Sequence, residues 1–439
     1  MLARIIHRGP DGQGVYEAGR AIHGHVRLAL LDLSDASSQP FLRDGACLSF
    51  NGEVWNFLEL RKTLSKKGEV FNTTGDTEVL AATLNAYGLL EGLKKIDGMF
   101  AFAWTDAQGN NWLARDSFGK VPLYVAKKGK AFYWASERKA FPKGVQPIGV
   151  PAGTAFNLDN GTWVRWYDMP EQGGMTANKV IELIREGVRK RLSADAPVCC
   201  LISGGLDSSL ILALAKEQSK EVTAFTAVFD KNSEDAKSAR RICNDLGVPL
   251  VEVPVMCNNQ SISKAIYSIE IASKAQIEIA VLCIPLAKEI ARRGFKACLS
   301  GEAADELFGG YGNFCIKASS ASEREIKELR KESLAKMARG NFVRCNKAFM
   351  AEGVECRLPF MEQALVEAVV QLGKKESPPG KVLLKEACEG LLPAWIVKRK
   401  KDTFQGGSGV SNFAATQIAK PVVFYNAELK KQFGYLPKD

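Results

Sequence analysis

The sequence predicts two domains of different type, a layered α+β domain followed by a parallel α/β domain whose C-terminal part is chiefly helical. Two observations predict this class. Residues 1–168 contain short strand-like runs that are separated by turn residues and interrupted by two helical stretches. Residues 178–255 instead alternate between helical and strand-like segments, which is typical of a parallel sheet. From about residue 312 the pattern is chiefly helical.

The individual elements follow from these patterns and from the turn residues between them. In the first domain the strand-like runs are 46–50, 99–105, 111–114, 123–125 and 132–135, and the helical stretches are 55–66 and 77–87. In the second domain the order is helix 178–193, strand 198–202, helix 208–218, strand 222–228, helix 233–246 and strand 250–255. A linker covers residues 169–177, so we expect domains at 1–170 and 176–439.

Composition limits the classes of function that the chain can have. Hydrophobic residues make up 46% and charged residues 25%, and no apolar run is long enough to span a membrane. The net charge of +10 comes from basic residues interspersed with acidic ones, as on solvated helices, so nucleic acid is not an expected partner. The 11 cysteines lack metal-site spacing, and the 3 histidines lie within the first 25 residues, which argues against zinc. We expect a cytoplasmic protein with small-molecule partners and no membrane partner, and a homodimer is left open.

The most informative motif begins where the apolar run 198–202 ends. Ser203-Gly204-Gly205-Leu206-Asp207-Ser208-Ser209 follows at once and opens a helix. Backbone amides of a glycine-rich turn and a helix N-terminus form a cradle for anionic oxygens, and Asp207 adds a carboxylate suited to Mg²⁺. The motif is not a Walker loop, because no Gly-Lys-Ser/Thr follows at the required spacing. The alternative is an ordinary strand–turn–helix corner.

A second motif has the same organisation. A short apolar run that ends at Leu299 enters an acidic, glycine-rich turn, Ser300-Gly301-Glu302-Ala303-Ala304-Asp305. Asp305 is a candidate for a second carboxylate at the metal, since two carboxylates on separate strand ends can hold Mg²⁺ between phosphates. The sequence therefore predicts a site for a magnesium nucleotide between the two turns.

The two motifs together resemble those of the asparagine synthetase family. The resemblance continues in Arg344-Cys345-Asn346-Lys347, in Gly353–Phe360 and in Lys398-Arg399-Lys400. It implies an ATP pyrophosphatase domain, which splits ATP into AMP and pyrophosphate. A carboxylate, L-aspartate in the family, would attack the α-phosphate to give an acyl-AMP. An amine would then attack the acyl carbon and form an amide.

The resemblance also assigns residues to this reaction, with ATP and Mg²⁺ as the implied cofactors. Glu302 lies on the turn of the family's essential glutamate, and Lys381 matches the lysine that faces pyrophosphate, so both are expected catalytic residues. Asp207 and Asp305 are the expected metal ligands. The expected ATP and pyrophosphate site comprises Leu201, Ser203, Gly204, Gly205, Asp207, Ser208, Ser209, Val228 and Gly301.

Residues 1–170 resemble the glutamine amidotransferase half of the same family, a class II glutaminase with an N-terminal-nucleophile fold. The matching motifs are His7–Gly12, Asn51–Asn56 and Gly75–Glu78. The resemblance implies that Arg27 holds the carboxylate of glutamine and that Asp76 holds its α-amino group. Asn51 and Gly52 would supply the oxyanion hole, and Glu53 would help orient the substrate.

The catalytic cysteine of that class should stand at position 1, and it is missing. Met1-Leu2-Ala3-Arg4 stands where the family is already well inside the domain, and Cys47 lies in a strand-like run. Without a thiolate and its amine, the remaining residues can bind glutamine but have no obvious way to hydrolyse it. We expect that the start is an internal methionine and that the glutaminase half is inactive as given. The alternatives are a synthetase that uses free ammonia or another amine, and a domain kept for packing.

One departure from the family concerns the acceptor carboxylate. Asparagine synthetases carry a Thr-Thr-x-Arg-Ala-Ser-like segment associated with the aspartate pocket, and here residues 273–280 place Glu278 at the arginine position. Lys274 is a candidate substitute, although lysine lacks the planar fork. The leading hypothesis is an ATP-dependent, AMP-forming amide synthetase that acts on aspartate. The alternatives are a specialised amidotransferase on another carboxylate and a non-catalytic glutamine- or nucleotide-binding paralogue.

Overall fold

The computed structural model describes residues 1–171, 175–399 and 421–436. The chain divides into two units. The first is Met1–Asp168 with Met350–Gly353 and the described part of Lys430–Asp439, and the described residues of Met169–Phe349 and Val354–Leu429 form the second. Among the described residues, no helix combines the length and the apolar character that crossing a membrane requires.

The first unit is built mainly from antiparallel strands. The strands are β1 (Gly12–Ala18), β2 (Ala21–Arg27), β3 (Phe41–Arg43), β4 (Ala46–Val54), β5 (Gly98–Thr105), β6 (Asn111–Arg115), β7 (Tyr124–Lys128), β8 (Ala131–Ala135), β9 (Ile148–Gly149), β10 (Thr154–Asn157) and β11 (Trp163–Arg165). The helices are α1 (Phe57–Ser65), α2 (Asp76–Tyr87) and α3 (Leu89–Leu93). Within the described residues one sheet has the order β11-β10-β6-β5-β4-β3, a second has the order β8-β7-β9, and β1 and β2 form a hairpin.

Strand β5 shows how this unit is layered, because successive side chains of a strand point to opposite faces of the sheet. Phe100, Phe102 and Trp104 pack in a core that includes residues of α1 and α2. Met99 and Ala101 point the other way and pack in a core that includes residues of β7. Helices, the large sheet and the small sheet therefore form successive layers, and the predicted layered α/β sandwich is confirmed.

The second unit contains a parallel sheet with helices between its strands. The strands are β12 (Val198–Leu201), β13 (Ala224–Val228), β14 (Leu250–Pro254), β15 (Ala297–Leu299) and β16 (Glu355–Arg357). Among the residues that the structure describes from 177 onwards, the helices are α4 (Ala177–Leu192), α5 (Leu206–Gln218), α6 (Glu234–Leu246), α7 (Asn259–Ile269), α8 (Lys274–Arg292), α9 (Ala304–Phe308), α10 (Gly312–Ser320), α11 (Glu323–Met337), α12 (Asn341–Met350), α13 (Gln363–Val370), α14 (Val382–Ala387), α15 (Ala394–Lys398) and α16 (Pro421–Phe433).

The strand order in this sheet, β14-β13-β12-β15-β16 over the described residues, creates a topological switch point. The chain runs from β12 through β13 to β14 on one side, and it returns through β15 and β16 on the other. Ligands of parallel sheets bind outside the carboxyl ends of the two strands where the order reverses. Here those strands are β12 and β15, and the two glycine-rich motifs follow them directly.

Several local predictions differ from the structure, and two of the differences have a clear local cause. The hairpin β1–β2 was not expected, because most residues of β1 are exposed and the strand lacks a buried apolar side. Helix α5 begins at Leu206 rather than at 208, because Gly205 has an extended conformation and acts as the N-cap residue. Asp207 therefore lies in the first turn of the helix.

Candidate active site

The loop that joins β12 to α5 has a conformation that depends on glycine. Gly204 has a φ of +74°, and a Cβ at this position would lie 2.6 Å from the carbonyl oxygen of Asp235. The backbone N–H of Ser203 donates to Oγ of Ser208 at 3.2 Å, which fixes the loop against the first turn of α5. The N-cap residue, Gly205, has no side chain that could accept from the first N–H groups of the helix. The first N–H groups of α5 therefore lie at a turn that is suited to anionic oxygens.

The loop after β15 packs directly against this first loop. A Cβ on Gly301 would lie 2.7 Å from the backbone nitrogen of Ser208 and 2.9 Å from the carbonyl carbon of Asp207. Only glycine allows this approach without a shift of the backbone. Ala303 has a φ of +82°, a left-handed conformation that turns the chain sharply into α9. The turn carries Glu302 and Asp305 to the same edge of the sheet as Asp207.

Lys381 connects the two loops through its side chain. Its Nζ lies 2.5 Å from Oδ2 of Asp207 and 2.5 Å from Oδ1 of Asp305. Burial favours the neutral amine, but the two carboxylates prevail and raise the pKa of Lys381 above its ordinary value. The residue has a φ of +62°, a left-handed conformation that costs a non-glycine residue about 1–3 kcal/mol. The surrounding structure must therefore hold it in place.

A cavity of about 840 Å³ opens between these segments. Most of the residues that the sequence assigns to the nucleotide and its chemistry line it: Leu201, Ser203, Gly205, Asp207, Ser208, Gly301, Glu302, Asp305 and Lys381. Lys398 and Arg399 also line the cavity, whereas Lys400 lies outside the described residues. The structure thus brings together side chains that are far apart in the sequence.

Three of the expected nucleotide-site residues do not line this cavity. Gly204 accepts a hydrogen bond from Arg399 at its carbonyl oxygen, at 2.5 Å. Ser209 is fully buried, and its Oγ donates to the carbonyl of Gly205 at 2.7 Å. Val228 ends β13, but Phe225 and Ala227 are the residues of that strand that line the cavity.

Glu302 belongs to a closed ring of four hydrogen-bonded side chains at the cavity wall. Its Oε1 accepts from Nδ2 of Asn341 at 2.9 Å, and its Oε2 accepts from Nη2 of Arg344 at 2.6 Å. Nε of Arg344 donates to Oε1 of Gln276 at 2.7 Å, and Nε2 of Gln276 donates to Oδ1 of Asn341 at 2.8 Å. Each member is oriented by two others, so the ring holds the Glu302 carboxylate in one position. Gln276 lies in the segment 273–280 and Arg344 in the motif 344–347, but the sequence assigns neither of them this role, and Asn341 was missed.

Glu306 is a second buried carboxyl group at the cavity, and it was also missed. Its Oε1 accepts from the hydroxyl of Tyr311 at 2.8 Å and from Nδ2 of Asn341 at 2.9 Å. Burial raises the pKa of Glu306 to about 7, and the charge of Glu302 acts in the same direction. The signal that could have found this residue is its place in the acidic turn, directly after Asp305.

Helix α8 contains most of the segment 273–280, in which the sequence differs from the family, and one face of the helix lines the cavity. Ala275, Gln276, Ile279 and Cys283 line it, at the spacing of one helix face. Glu278 is buried elsewhere and lies 3.7 Å from Nζ of Lys274, and neither of these two residues lines the cavity. Gln276 is therefore the polar group that this helix presents to the site.

In the first unit, hydrogen bonds hold two of the expected glutamine-binding residues, Arg27 and Asp76, in place. Arg27 donates to the carbonyl of Ser34 at 2.8 Å and to that of Asp32 at 2.5 Å. The carboxylate of Asp32 accepts from the backbone N–H of Thr74 at 2.7 Å. Two residues further on, Asp76 opens α2 and accepts from the N–H of Val54 at 2.8 Å. This chain of contacts runs from Arg27 to the end of β4.

The end of β4 also carries Asn51, Gly52 and Glu53. Gly52 has a φ of +136°, and a Cβ there would lie 2.0 Å from the carbonyl oxygen of Met99. A cavity of about 730 Å³ lies in this unit, and Asn51 lines it. The other four residues, Arg27, Gly52, Glu53 and Asp76, do not line that cavity.

Cys47 lies further back on β4. It is 1% exposed, and burial raises the pKa of its thiol to about 12. A protonated, inaccessible thiol is a poor nucleophile. The structure therefore gives Cys47 no catalytic role.

Comparison with known proteins identifies the family. Residues 1–151 match the glutamine amidotransferase domain family, and residues 179–336 and 313–423 match the asparagine synthase family. Asparagine synthetase B (glutamine-hydrolysing) of Escherichia coli K12 is 32% identical, over 93% of this chain and 79% of that protein. This chain belongs to the asparagine synthetase family. An asparagine synthetase of Arabidopsis thaliana is 30% identical over 92% of this chain and 70% of its own length, and one of Sandersonia aurantiaca is 29% identical over 94% and 83%.

The family uses ATP, and the positions of Asp207 and Asp305 show whether a metal ion could bind beside the nucleotide. Asp207 and Asp305 approach one point, which the ammonium group of Lys381 now occupies. Among the described residues, no group of three or more histidine, cysteine or acidic side chains is arranged to hold a metal. Mg²⁺ fits such a pair, because it commonly binds one or two carboxylates together with substrate phosphates and water. The described residues do not supply enough ligands to hold Mg²⁺ when the nucleotide is absent.

Proposed function

We propose that the chain is an ATP-dependent, AMP-forming amide synthetase that activates the carboxylate of aspartate and amidates it. A carboxylate oxygen attacks the α-phosphorus of ATP, which gives an acyl-AMP and releases pyrophosphate. Ammonia, supplied by glutamine or taken up directly, then attacks the acyl carbon and releases AMP. The observation that carries this proposal is the convergence of Lys381, Asp207 and Asp305 where two glycine-rich loops meet at the switch point.

The first loop is proposed to hold the phosphates. Ser203, Gly205 and Ser208 line the cavity where α5 begins, so the first N–H groups of the helix lie beside it. Anionic oxygens are stabilised by such a helix N-terminus. Leu201 and Gly301 border the same space. Gly204 and Ser209 are proposed to act by shaping the loop, since neither lines the cavity.

Lys381 is proposed to stabilise pyrophosphate as it leaves. Negative charge grows on the bridging oxygen in the transition state, and a fixed ammonium group stabilises this charge more than it stabilises bound ATP. Asp207 and Asp305 keep the lysine protonated and oriented until the nucleotide arrives. They are also the proposed ligands of Mg²⁺, which would neutralise phosphate charge when bound.

Glu302 is proposed to accept the proton that the attacking amine loses. Its carboxylate is held by Asn341 and Arg344 at the cavity wall, so its position is fixed before the amine arrives. No histidine occurs beyond residue 25, so proton transfer in this unit depends on acidic side chains, lysine or water.

The first domain, 1–170, is proposed to bind glutamine, and the second, 176–439, to carry out the synthetase reaction. In the first, Arg27 would hold the substrate carboxylate and Asp76 its amino group. Asn51 and Gly52 would face the amide oxygen, and Glu53 would orient the substrate. Support comes from the hydrogen bonds that link Arg27 to the start of α2 and Asp76 to the end of β4.

One observation favours a carboxylate other than aspartate as the acceptor. Gln276 faces the cavity on α8, whereas Glu278 and Lys274 do not line it. A neutral amide is a weaker partner for a second carboxylate than a guanidinium group. A carboxylate substrate other than aspartate is therefore the alternative.

The test is ATP–pyrophosphate exchange with a panel of carboxylic acids, in which radioactive pyrophosphate enters ATP only if adenylation is reversible. Exchange that depends on aspartate supports the main proposal. Exchange that depends on another acid would show that this acid, and not aspartate, is the substrate. Absence of exchange with every acid, in a folded protein that binds ATP, overturns the proposal.

A further inference from the structure

Arg330 is a fully buried arginine on α11 that contacts backbone carbonyl oxygens. Its Nε donates to the carbonyl of Leu307 at 3.1 Å, its Nη2 donates to that of Ser377 at 2.6 Å, and its Nη1 donates to that of Leu372. The residue is 0% exposed. Burial lowers its pKa to about 10, although the charges of Glu376 and Glu323 act in the opposite direction. Burial of a charged guanidinium group costs free energy, so we expect a buried arginine to have a specific role.

The three carbonyls belong to the two segments that carry the catalytic groups. Leu307 lies on α9, two residues after Asp305. Leu372 and Ser377 lie on the segment 372–380, which leads into Lys381. The guanidinium group of Arg330 therefore joins α9, which carries Asp305, to the segment that leads into Lys381.

Backbone hydrogen bonds join the same two segments at the site itself. The N–H of Gly380 donates to the carbonyl of Gly309 at 2.9 Å, and the N–H of Lys381 donates to that of Phe308 at 3.1 Å. Helix α11 also holds the segment through Glu323, whose carboxylate accepts from the N–H of Lys374 at 2.5 Å. Segment 372–380 contains no helix or strand of its own, so these contacts fix its path.

We propose that Arg330 is a positioning residue that sets the ammonium group of Lys381 relative to the carboxylate of Asp305. It acts through the carbonyls of Leu307, Leu372 and Ser377, and it touches no substrate. Its planar fork donates from three separate nitrogen atoms, so it spans acceptors that the single nitrogen of a lysine cannot reach together. The left-handed conformation of Lys381 makes this support necessary, because a loosened segment would relax away from it. The inference depends on the proposed function.

The test compares Arg330→Lys and Arg330→Ala with the unaltered protein in ATP–pyrophosphate exchange. We expect kcat to fall roughly 10- to 100-fold in both variants, because displacement of a catalytic group by about 1 Å has an effect of this size. KM for ATP should change by less than about threefold, because the phosphate-binding loop after β12 does not contact Arg330. Millimolar guanidinium chloride should restore part of the kcat of Arg330→Ala, whereas equal sodium chloride should not.

Arg115 provides a matched control in the first unit. It is also buried, and it donates to three carbonyls, those of Val121, Val150 and Gly119, each at 2.7 Å. Arg115→Lys should leave exchange unchanged, because exchange requires only ATP, pyrophosphate and the carboxylic acid and no nitrogen donor. An unchanged kcat in Arg330→Lys, or a loss confined to KM, overturns the inference, and so does an equal loss in Arg115→Lys. If Arg330→Ala does not fold, Arg330→Lys with its kcat and KM carries the test. Absence of exchange in the unaltered protein instead refutes the proposed function.

Discussion

Gly301 and Ser208 lie so close that a Cβ on the glycine would fall 2.7 Å from the backbone nitrogen of the serine. The two residues follow different strands, β15 and β12, and their contact brings the two glycine-rich loops together. It places Asp207 and Asp305 within reach of one lysine. The spacing of the catalytic groups therefore depends on the absence of a side chain at one position.

Gly301→Ala should accordingly separate the loops and reduce ATP–pyrophosphate exchange strongly, while the protein remains folded. The neighbouring atoms are backbone atoms, which cannot move aside as a flexible side chain can. Gly312→Ala is the matched control, since a Cβ there meets no atom within 4 Å. Comparable exchange rates in the two variants would show that the close approach is not required.

Asp207→Asn and Asp305→Asn should each lower the exchange rate by at least about 100-fold, because each removes one negative charge from the centre of the site. The amide has the same shape, so the unfolding temperature should change little. Asp245→Asn, on α6, serves as the control. Near-normal exchange in either site variant would remove that aspartate from the proposed metal site.

Lys381→Met should reduce kcat for adenylation by roughly 100-fold and change KM for ATP much less, since the charge acts mainly on the departing pyrophosphate. Lys216→Met, on the exposed side of α5, should change neither constant. Initial rates over a range of ATP concentrations give both values. A rise in KM at unchanged kcat would make Lys381 a simple binding residue.

The first unit should lose stability in acid because of His23. Its ring lies between the hydroxyls of Ser49 and Thr105, and burial lowers its pKa from 6.5 to about 4. The pKa of His23 is lower in the folded protein than in the unfolded chain, so folding favours the neutral ring. The contribution of His23 to the free energy of unfolding is therefore complete above pH 6.5 and disappears as the pH falls towards 4.

The free energy of unfolding should therefore fall by up to about 3 kcal/mol over this range from His23 alone. Urea unfolding followed by tryptophan fluorescence measures it, since Trp134 packs edge-on against His23 with ring centres 5.9 Å apart. His23→Gln should be less stable at neutral pH but should show a smaller loss in acid. An identical pH dependence in both proteins would contradict the assignment.

The sequence predicted the parts of the site that short motifs encode. A glycine-rich turn between an apolar run and a helix has few possible conformations, so the sequence alone places Asp207 and Asp305 directly after strand ends. The alternation of helices and strands from 178 to 255 similarly predicts the parallel sheet, because parallel strands must be joined by a crossover connection, which is usually a helix.

The remaining features depend on contacts between distant segments. The ring around Glu302 joins α8 to α12 through the loop after β15, and no local pattern relates Gln276 to Asn341 and Arg344, which lie one turn apart on α12. Arg330 was not singled out because its partners are carbonyl groups, which every residue possesses. Helical periodicity decides that Gln276 rather than Glu278 faces the cavity, but only once the position of α8 is known.

The central claim is that a substrate carboxylate attacks the α-phosphorus of ATP. Aspartate whose side-chain carboxylate carries heavy oxygen tests it, with ammonia as the donor and mass spectrometry of the products. Attack at this phosphorus transfers one labelled oxygen to AMP, so labelled AMP should form in equal amount to the amide. Formation of ADP and phosphate, or of unlabelled AMP together with the amide, would contradict the account.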